Sequence, residues 1–150
     1  MDQAANRSID QLLAQYGESH RNSANEVIHF VCIPAIVFSL LGMLWALHPL
    51  LAVATVVASL IYYFRLSLPF AIGMLVFSAA SLWALWALSA MTHGQVAVIS
   101  IAVFVLAWIG QFIGHKIEGK KPSFFDDLRF LLIGPLFVLS FLYRRLHVAF

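Results

Sequence analysis

Long apolar stretches alternate with short polar breaks along most of the chain. Ser23-Ala24-Asn25-Glu26 matches the capping box that precedes many helices, so a helix is predicted to begin near Ala24. The apolar run that follows it recurs after turn-forming breaks such as His48-Pro49 and Thr92-His93-Gly94. The pattern predicts four membrane-spanning helices, over residues 28–47, 50–64, 69–91 and 95–114.

The segment before the first span is polar overall but carries one apolar helical face. Ser8 is the predicted N-cap of this helix, and Gly17 favours its end. The apolar face has the i, i+3, i+4, i+7 spacing and consists of Ile9, Leu12, Leu13 and Tyr16. We therefore expect a short amphipathic helix ahead of the spans.

The last apolar stretch, residues 130–143, differs from the others in length. Its 14 residues would extend only about 21 Å as a helix, short of the roughly 30 Å hydrocarbon core. It also contains Gly134-Pro135, and Asp126 and Asp127 are the predicted caps of the helix leading into it. These features predict a re-entrant or interfacial helical segment over residues 128–145.

Composition supports the same fold class. Hydrophobic residues make up 62% of the 150 positions and charged residues 11%, against about 25% charged in soluble domains. No charged residue lies between Glu26 and Arg65, or between Arg65 and Lys116, which is expected because a charge at the bilayer centre costs at least about 2.5 kcal/mol. The sequence predicts an all-α integral membrane protein forming a single membrane domain over residues 1–150.

The basic residues predict the orientation of that domain. Lysines and arginines precede the first predicted span, separate the second from the third, and follow the fourth, whereas the two opposite turns have none. By the positive-inside rule, both termini are expected on the cytoplasmic side. We expect a bacterial inner membrane, or the endoplasmic reticulum in a eukaryotic host. The net charge of only +2 is scattered and gives no nucleic-acid footprint.

Three histidines fall at one membrane level in this topology. His20 and His29 lie at or before the start of the first span, and His115 lies at the end of the fourth, on the predicted cytoplasmic side. Neutral imidazole is the commonest metal ligand, so the three could form a metal site if the break at Asn22-Ser23 folds His20 back over the first span. The other histidines include His48 and His93 in the opposite turns.

Other polar residues share the faces of these histidines. Asn25 and His29 are i, i+4 neighbours, and a stripe on the fourth span contains Trp108, Gln111, His115 and Glu118. Polar groups inside a membrane normally face the protein interior. The residues alone leave two kinds of function open: a zinc-dependent membrane hydrolase, and a non-enzymatic transporter subunit or lipid-binding scaffold with interfacial histidines.

The motifs themselves resemble a known family. His20-x4-Asn25-x3-His29-x4-Pro34, with Gln111-Phe112-Ile113-Gly114-His115 and Glu118-Gly119-Lys120-Lys121-Pro122 near the other end, is similar to the small membrane 2-hydroxy fatty acid dioxygenases, whose fungal member acts in phytosphingosine breakdown. The similarity extends over nearly the whole chain. Between His115 and Glu118 the interval is one residue shorter than in the fungal pattern, which leaves the role of Glu118 open.

The resemblance implies an enzyme. It implies Fe(II)-dependent α-oxidation, in which a 2-hydroxy fatty acid and O2 give a fatty acid shortened by one carbon. His20, His29 and His115 would be the metal ligands, Asn25 and Gln111 would orient ligands or substrate, and Glu118 is a further candidate. Lys116, Lys120 or Lys121 could hold the substrate carboxylate. The expected partners are the 2-hydroxy fatty acid, O2 and membrane lipid, and the sequence carries no signal for an oligomeric state.

Overall fold

The structure is a computed structural model that describes residues 2–120 and 130–150, with side chains from residue 9 onward. The predicted caps Asp126 and Asp127, and Lys121, lie outside the described residues. The described part folds into six α-helices: α1 Asp2–Gly17, α2 Ser23–Leu47, α3 Pro49–Leu66, α4 Leu68–Met91, α5 Val96–Glu118 and α6 Ile133–Arg145.

Four of these helices, α2 to α5, are long and apolar enough to cross a membrane. They contain 25, 18, 24 and 23 residues, whereas α6 has 13. Large apolar side chains such as Val57, Val76 and Val98 are exposed along their outer faces, a surface that suits lipid rather than water. The predicted all-α integral membrane fold with four spans is confirmed. That α6 is re-entrant or interfacial stays a prediction.

Two predicted helix caps are wrong. Helix α1 begins at Asp2, so Ser8 lies inside it. Helix α2 is capped by Asn22 rather than Ser23, because the extended backbone of Asn22 lets its side-chain oxygen accept from the Ala24 N–H at 2.9 Å. The predicted break before the first span is present nonetheless, since residues 18–22 separate α1 from α2.

Helices α2 and α5 are antiparallel neighbours held close by glycines. A methyl group added at Gly114 would overlap the Asn25 side-chain oxygen, and one at Gly42 would overlap the Ser100 hydroxyl. Gly110 stands four residues before Gly114 and faces the Cys32 sulfur. Small residues at this spacing let two membrane helices approach with their backbones nearly in contact. The start of α2 therefore lies directly against the end of α5.

Helices α1 and α6 cover that same end of the bundle. Ile9, Leu13 and Tyr16 of α1 are buried, as the predicted apolar face requires. They belong to one core cluster with residues from the end of α3, the start of α4 and α6, namely Tyr63, Leu66, Phe70, Ile133, Leu136 and Phe137. The Tyr63 hydroxyl donates to the Leu132 carbonyl at 2.9 Å, fixing the entry into α6.

Candidate metal centre

The structure brings His20, His29 and His115 together beneath α1 and α6. Their ligand atoms all lie within 4.8 Å of one another, and the three rings meet edge to face with centroids 4.2 to 5.6 Å apart. Each side chain is at least 95% buried. In the described part of the chain, these three residues form the one group of histidine, cysteine or acidic side chains arranged to hold a metal ion.

The helix backbone sets the tautomer of two of these rings. His29 Nδ1 lies 2.8 Å from the Asn25 carbonyl oxygen, and His20 Nδ1 lies 2.7 Å from the Tyr16 carbonyl oxygen. A carbonyl only accepts, so both Nδ1 atoms must carry the proton and donate. In the neutral ring, Nε2 then keeps the lone pair that binds metal. The donor set therefore fits a metal ion that prefers imidazole nitrogen.

Asn25 hydrogen-bonds both to His29 and to residues that hold the turn containing His20. Its backbone carbonyl orients His29, while its side-chain Nδ2 donates to the Ser19 carbonyl at 3.3 Å and to Glu118 Oε2 at 3.1 Å. Asn25 is completely buried, and its Oδ1 has no hydrogen-bond donor among the residues described. This oxygen packs against Gly114, where an added methyl group would overlap it.

Glu118 fastens the turn that carries His20. Its carboxylate accepts from the backbone N–H groups of Arg21 at 3.0 Å and Asn22 at 2.9 Å, in addition to the Asn25 amide. The carboxylate is thus directed at the start of α2, where it also complements the positive end of the helix dipole. Glu118 therefore holds the turn that positions His20, and it is not one of the three side chains arranged to bind a metal ion.

Lys120 reinforces the same turn. Its ammonium group donates to the Glu18 carbonyl at 3.1 Å and to the Ser19 hydroxyl at 3.2 Å. Both contacts are to residues 18 and 19, just ahead of His20. Gly119 lies between Glu118 and Lys120 with φ +74°, the left-handed conformation that ends many helices. The end of α5 and the 18–22 turn are consequently joined by charge-assisted hydrogen bonds on both sides of this glycine.

Aromatic rings close the site on the α1 and α6 side. The Tyr16 ring stacks on His20 with centroids 4.3 Å apart and planes 8° from parallel, and Phe137 packs against both rings. The sequence placed Tyr16 on the apolar face of α1 but gave it no part in the site. The glycine spacing Gly110-x3-Gly114 is a second feature that was missed, although it is a recognisable membrane packing signal.

Gln111 is buried one helical turn before His115 and lines a small cavity beside the histidines. The cavity measures about 20 Å³, room for one water-sized molecule. Its other walls include Tyr16, Trp108 and Leu131. The predicted stripe on α5 is therefore buried from Trp108 through Gln111 to His115, while Glu118 at its end is half-buried.

The remaining predicted histidines lie away from this centre. His48 and His93 occupy the turns between α2 and α3 and between α4 and α5, at the opposite ends of those helices. His48 Nδ1 accepts from the Leu50 N–H at 3.2 Å and so caps α3. Both side chains are exposed. The histidines thus separate by bundle end, as their sequence positions predicted.

Comparison with known proteins agrees with this arrangement. A family model described as 2-hydroxy-palmitic acid dioxygenase Mpo1-like matches residues 6–146. The chain belongs to the Mpo1-like family. One relative, the 2-hydroxy-palmitic acid dioxygenase MPO1 of Saccharomyces cerevisiae, is 32% identical over 142 residues, which cover 88% of this chain and 78% of that protein. No solved structure gives a significant match. The family resemblance is confirmed, and it indicates a dioxygenase role.

Proposed function

We propose that this protein is an Fe(II)-dependent membrane dioxygenase that uses O2 to shorten 2-hydroxy fatty acids by one carbon. The observation that carries the proposal is the buried group of His20, His29 and His115, within 4.8 Å, in a member of the Mpo1-like family. The name of the yeast relative supports the substrate class and the use of O2.

The metal would be held by the three imidazoles. Imidazole nitrogen suits iron, as it also suits zinc and copper, and three protein ligands leave coordination positions open. A bound ferrous ion would supply O2 activation and Lewis acidity. The Nδ1 hydrogen bonds of His20 and His29 fix the rings for this task, in the way that carbonyl partners orient metal-bound histidines generally.

The overall reaction balances with one O2 for each turnover. The bond between C1 and C2 of the 2-hydroxy acid breaks, C2 becomes the carboxyl carbon of the shortened fatty acid, and C1 leaves as CO2. The four electrons lost by the substrate reduce O2, and one oxygen atom leaves as water. No further reductant is required.

The chain's own polar groups would bind and orient this substrate. Gln111 lines the small cavity beside the site, where its amide could hydrogen-bond to the substrate, and Asn25 would orient the ligand His29 through its carbonyl. The rings of Tyr16 and Phe137 would give the site an apolar wall on the α1 and α6 side. Glu118 and Asn25 act as positioning residues, because they hold the turn that presents His20.

Metal analysis and an O2-dependence assay test the proposal. Purified protein is expected to contain near-stoichiometric iron and to consume O2 with 2-hydroxypalmitate, releasing a C15 acid. His29→Ala and His115→Ala should lose both properties, whereas His93→Ala, in the exposed turn, should keep them.

Unchanged iron content in both site variants would overturn the metal site. A protein that holds zinc and cleaves an ester or amide without O2 would instead establish the hydrolase alternative. An anaerobic assay with and without added Fe(II) separates these outcomes, because only the dioxygenase loses activity when O2 is removed.

A further inference from the structure

Two larger cavities lie deeper in the bundle. The first, which we call the α2–α4 cavity, measures about 100 Å³ and lies between α2, α3, α4 and the residues that enter α6. The second, the α6 cavity, measures about 130 Å³ and lies between α2, α4 and the outer part of α6. The α6 cavity is lined by apolar residues, the α2–α4 cavity by apolar residues and four that carry hydroxyls, and both include Met74 and Pro135.

The α2–α4 cavity is the neighbour of the small cavity beside the candidate metal centre. Leu131 lines both this cavity and the small cavity beside Gln111 and Tyr16. The α6 cavity shares no described lining residue with that small cavity. Leu131 therefore lies between the small cavity and the α2–α4 cavity, and an elongated molecule would have to displace this side chain to occupy both.

The lining and depth of the α2–α4 cavity suit a hydrocarbon chain. Its far wall includes Leu44, fifteen residues after His29 on the same helix, or about 22 Å along the axis. Four residues in its wall carry hydroxyls, namely Thr55, Ser59, Tyr63 and Ser78. Thr55 donates to the Leu51 carbonyl and Tyr63 to the Leu132 carbonyl. Along α2 the lining runs from Val37 to Leu44, about 10 Å of the roughly 15 Å hydrocarbon depth of one leaflet, and most of it is carbon.

We propose that the α2–α4 cavity binds the acyl chain of the substrate and that Leu131 controls its entry from the metal centre. This rests on the proposed function, which places the 2-hydroxycarboxylate end at the histidines. The occupant is a long-chain 2-hydroxy acid, and its tail lies between α2, α3 and α4. Packing contacts along the tail, rather than transfer out of water, would give the cavity its preference for long chains.

A matched pair of substitutions tests the cavity. Val37 lines the α2–α4 cavity and Val138 lines the α6 cavity, and both side chains are half-buried. Val37→Phe should raise KM for 2-hydroxypalmitate at least tenfold and leave 2-hydroxyoctanoate nearly unchanged. Val138→Phe should alter neither value. Equal chain-length profiles for wild type and Val37→Phe, with iron retained, would overturn the proposal.

A second variant decides the case in which Val37→Phe loses iron or fails to fold. Leu131→Trp places a larger side chain between the small cavity and the α2–α4 cavity and leaves the residues of α2 and α3 unchanged. It should also reduce activity more on long-chain substrates than on short-chain ones. A chain-length profile that Leu131→Trp leaves unchanged then counts against the proposal.

Photocrosslinking separates this inference from the proposed function, because it requires no turnover. 2-Hydroxypalmitate with a terminal diazirine should label residues of the α2–α4 cavity such as Leu41 and Leu44, and unlabelled 2-hydroxypalmitate should compete. Labelling of Leu139 or Leu142 in the α6 cavity, or labelling displaced by phospholipid but not by the hydroxy acid, would overturn it. Correct labelling without O2 consumption would contradict only the proposed function.

Discussion

At the scale of single residues, Asn25 helps to position both His29 and His20. Its carbonyl accepts from His29, and its amide reaches the Ser19 carbonyl and Glu118. Glu118 in turn accepts from two backbone N–H groups beside His20. The relative placement of His20 and His29 therefore depends on a carboxylate located 89 residues beyond His29.

Glu118→Gln tests this positioning role. The amide can no longer accept on both atoms, so at least one of the N–H groups of Arg21 and Asn22 loses its partner. Changes of this kind around metal ligands typically cost about 10–100-fold in metal affinity or activity. We expect weaker iron binding, measured by competition with a chelator, and a fall in activity.

Glu18→Gln is the matched control, since the Glu18 side chain is exposed in the same turn. It should leave iron affinity unchanged. Equal iron affinity in Glu118→Gln and wild type would show that the carboxylate does not position His20.

The proximity of the three histidines and Asn25 could be predicted from the sequence, because helix period and membrane level give their positions. The stacking of Tyr16 on His20 could not, because it depends on how residues 18–22 fold back. The hydrogen-bond partners of the Glu118 carboxylate could not be predicted either, because they are N–H groups distant in sequence.

At the scale of elements, the α2–α5 contact determines whether His29 and His115 meet. Gly114 lies beside Asn25 and close to the His29 ring, with no space for a methyl group. Overpacking a tight contact typically costs about 1–3 kcal/mol. Gly114→Ala should therefore push the two helices apart and lower both iron content and the apparent Tm in detergent.

Gly17→Ala provides the comparison for that substitution. A methyl group there would be 3.5 Å from Phe137, an ordinary contact. It should retain iron and Tm. If Gly114→Ala retained both as well, close approach at Gly114 would not be required for the site.

Adjacent tyrosines offer a second test at this scale. Tyr63 is buried and donates to the Leu132 carbonyl ahead of α6, whereas Tyr62 is exposed. Loss of a buried hydrogen bond costs about 1 kcal/mol, which shifts the Tm of a chain of this size by about 2–4 °C. Tyr63→Phe should show this shift in detergent, and Tyr62→Phe should not. Equal Tm values would mean that the bond does not stabilise α6.

The number and type of the long helices could be predicted from hydropathy, because long apolar runs without charge are characteristic of membrane-spanning helices. Their pairing did not follow. Four apolar helices can be arranged in several orders, and the adjacency of α2 and α5 depends on small residues such as Gly42 and Gly110 that hydropathy does not register.

At the scale of the whole molecule, the basic residues predict that both ends of the chain share the cytoplasmic side. In a Cys32→Ser background, Gln95→Cys lies in the turn between α4 and α5, and Lys116→Cys lies near the end of α5. We expect a membrane-impermeant maleimide to label intact cells at residue 95 and not at residue 116. The opposite pattern would reverse the orientation, and lysed cells control for reactivity at both positions.

The carbonyl that fixes the His20 tautomer belongs to Tyr16, in the last turn of α1. If His20 ligates the proposed metal, metal occupancy and the integrity of that turn are linked equilibria, and by reciprocity each favours the other to the same extent. Loading the site should slow hydrogen exchange at the His20 amide, which donates to the Gly17 carbonyl at 3.0 Å. The end of an amphipathic helix would thus report on iron supply at the membrane surface.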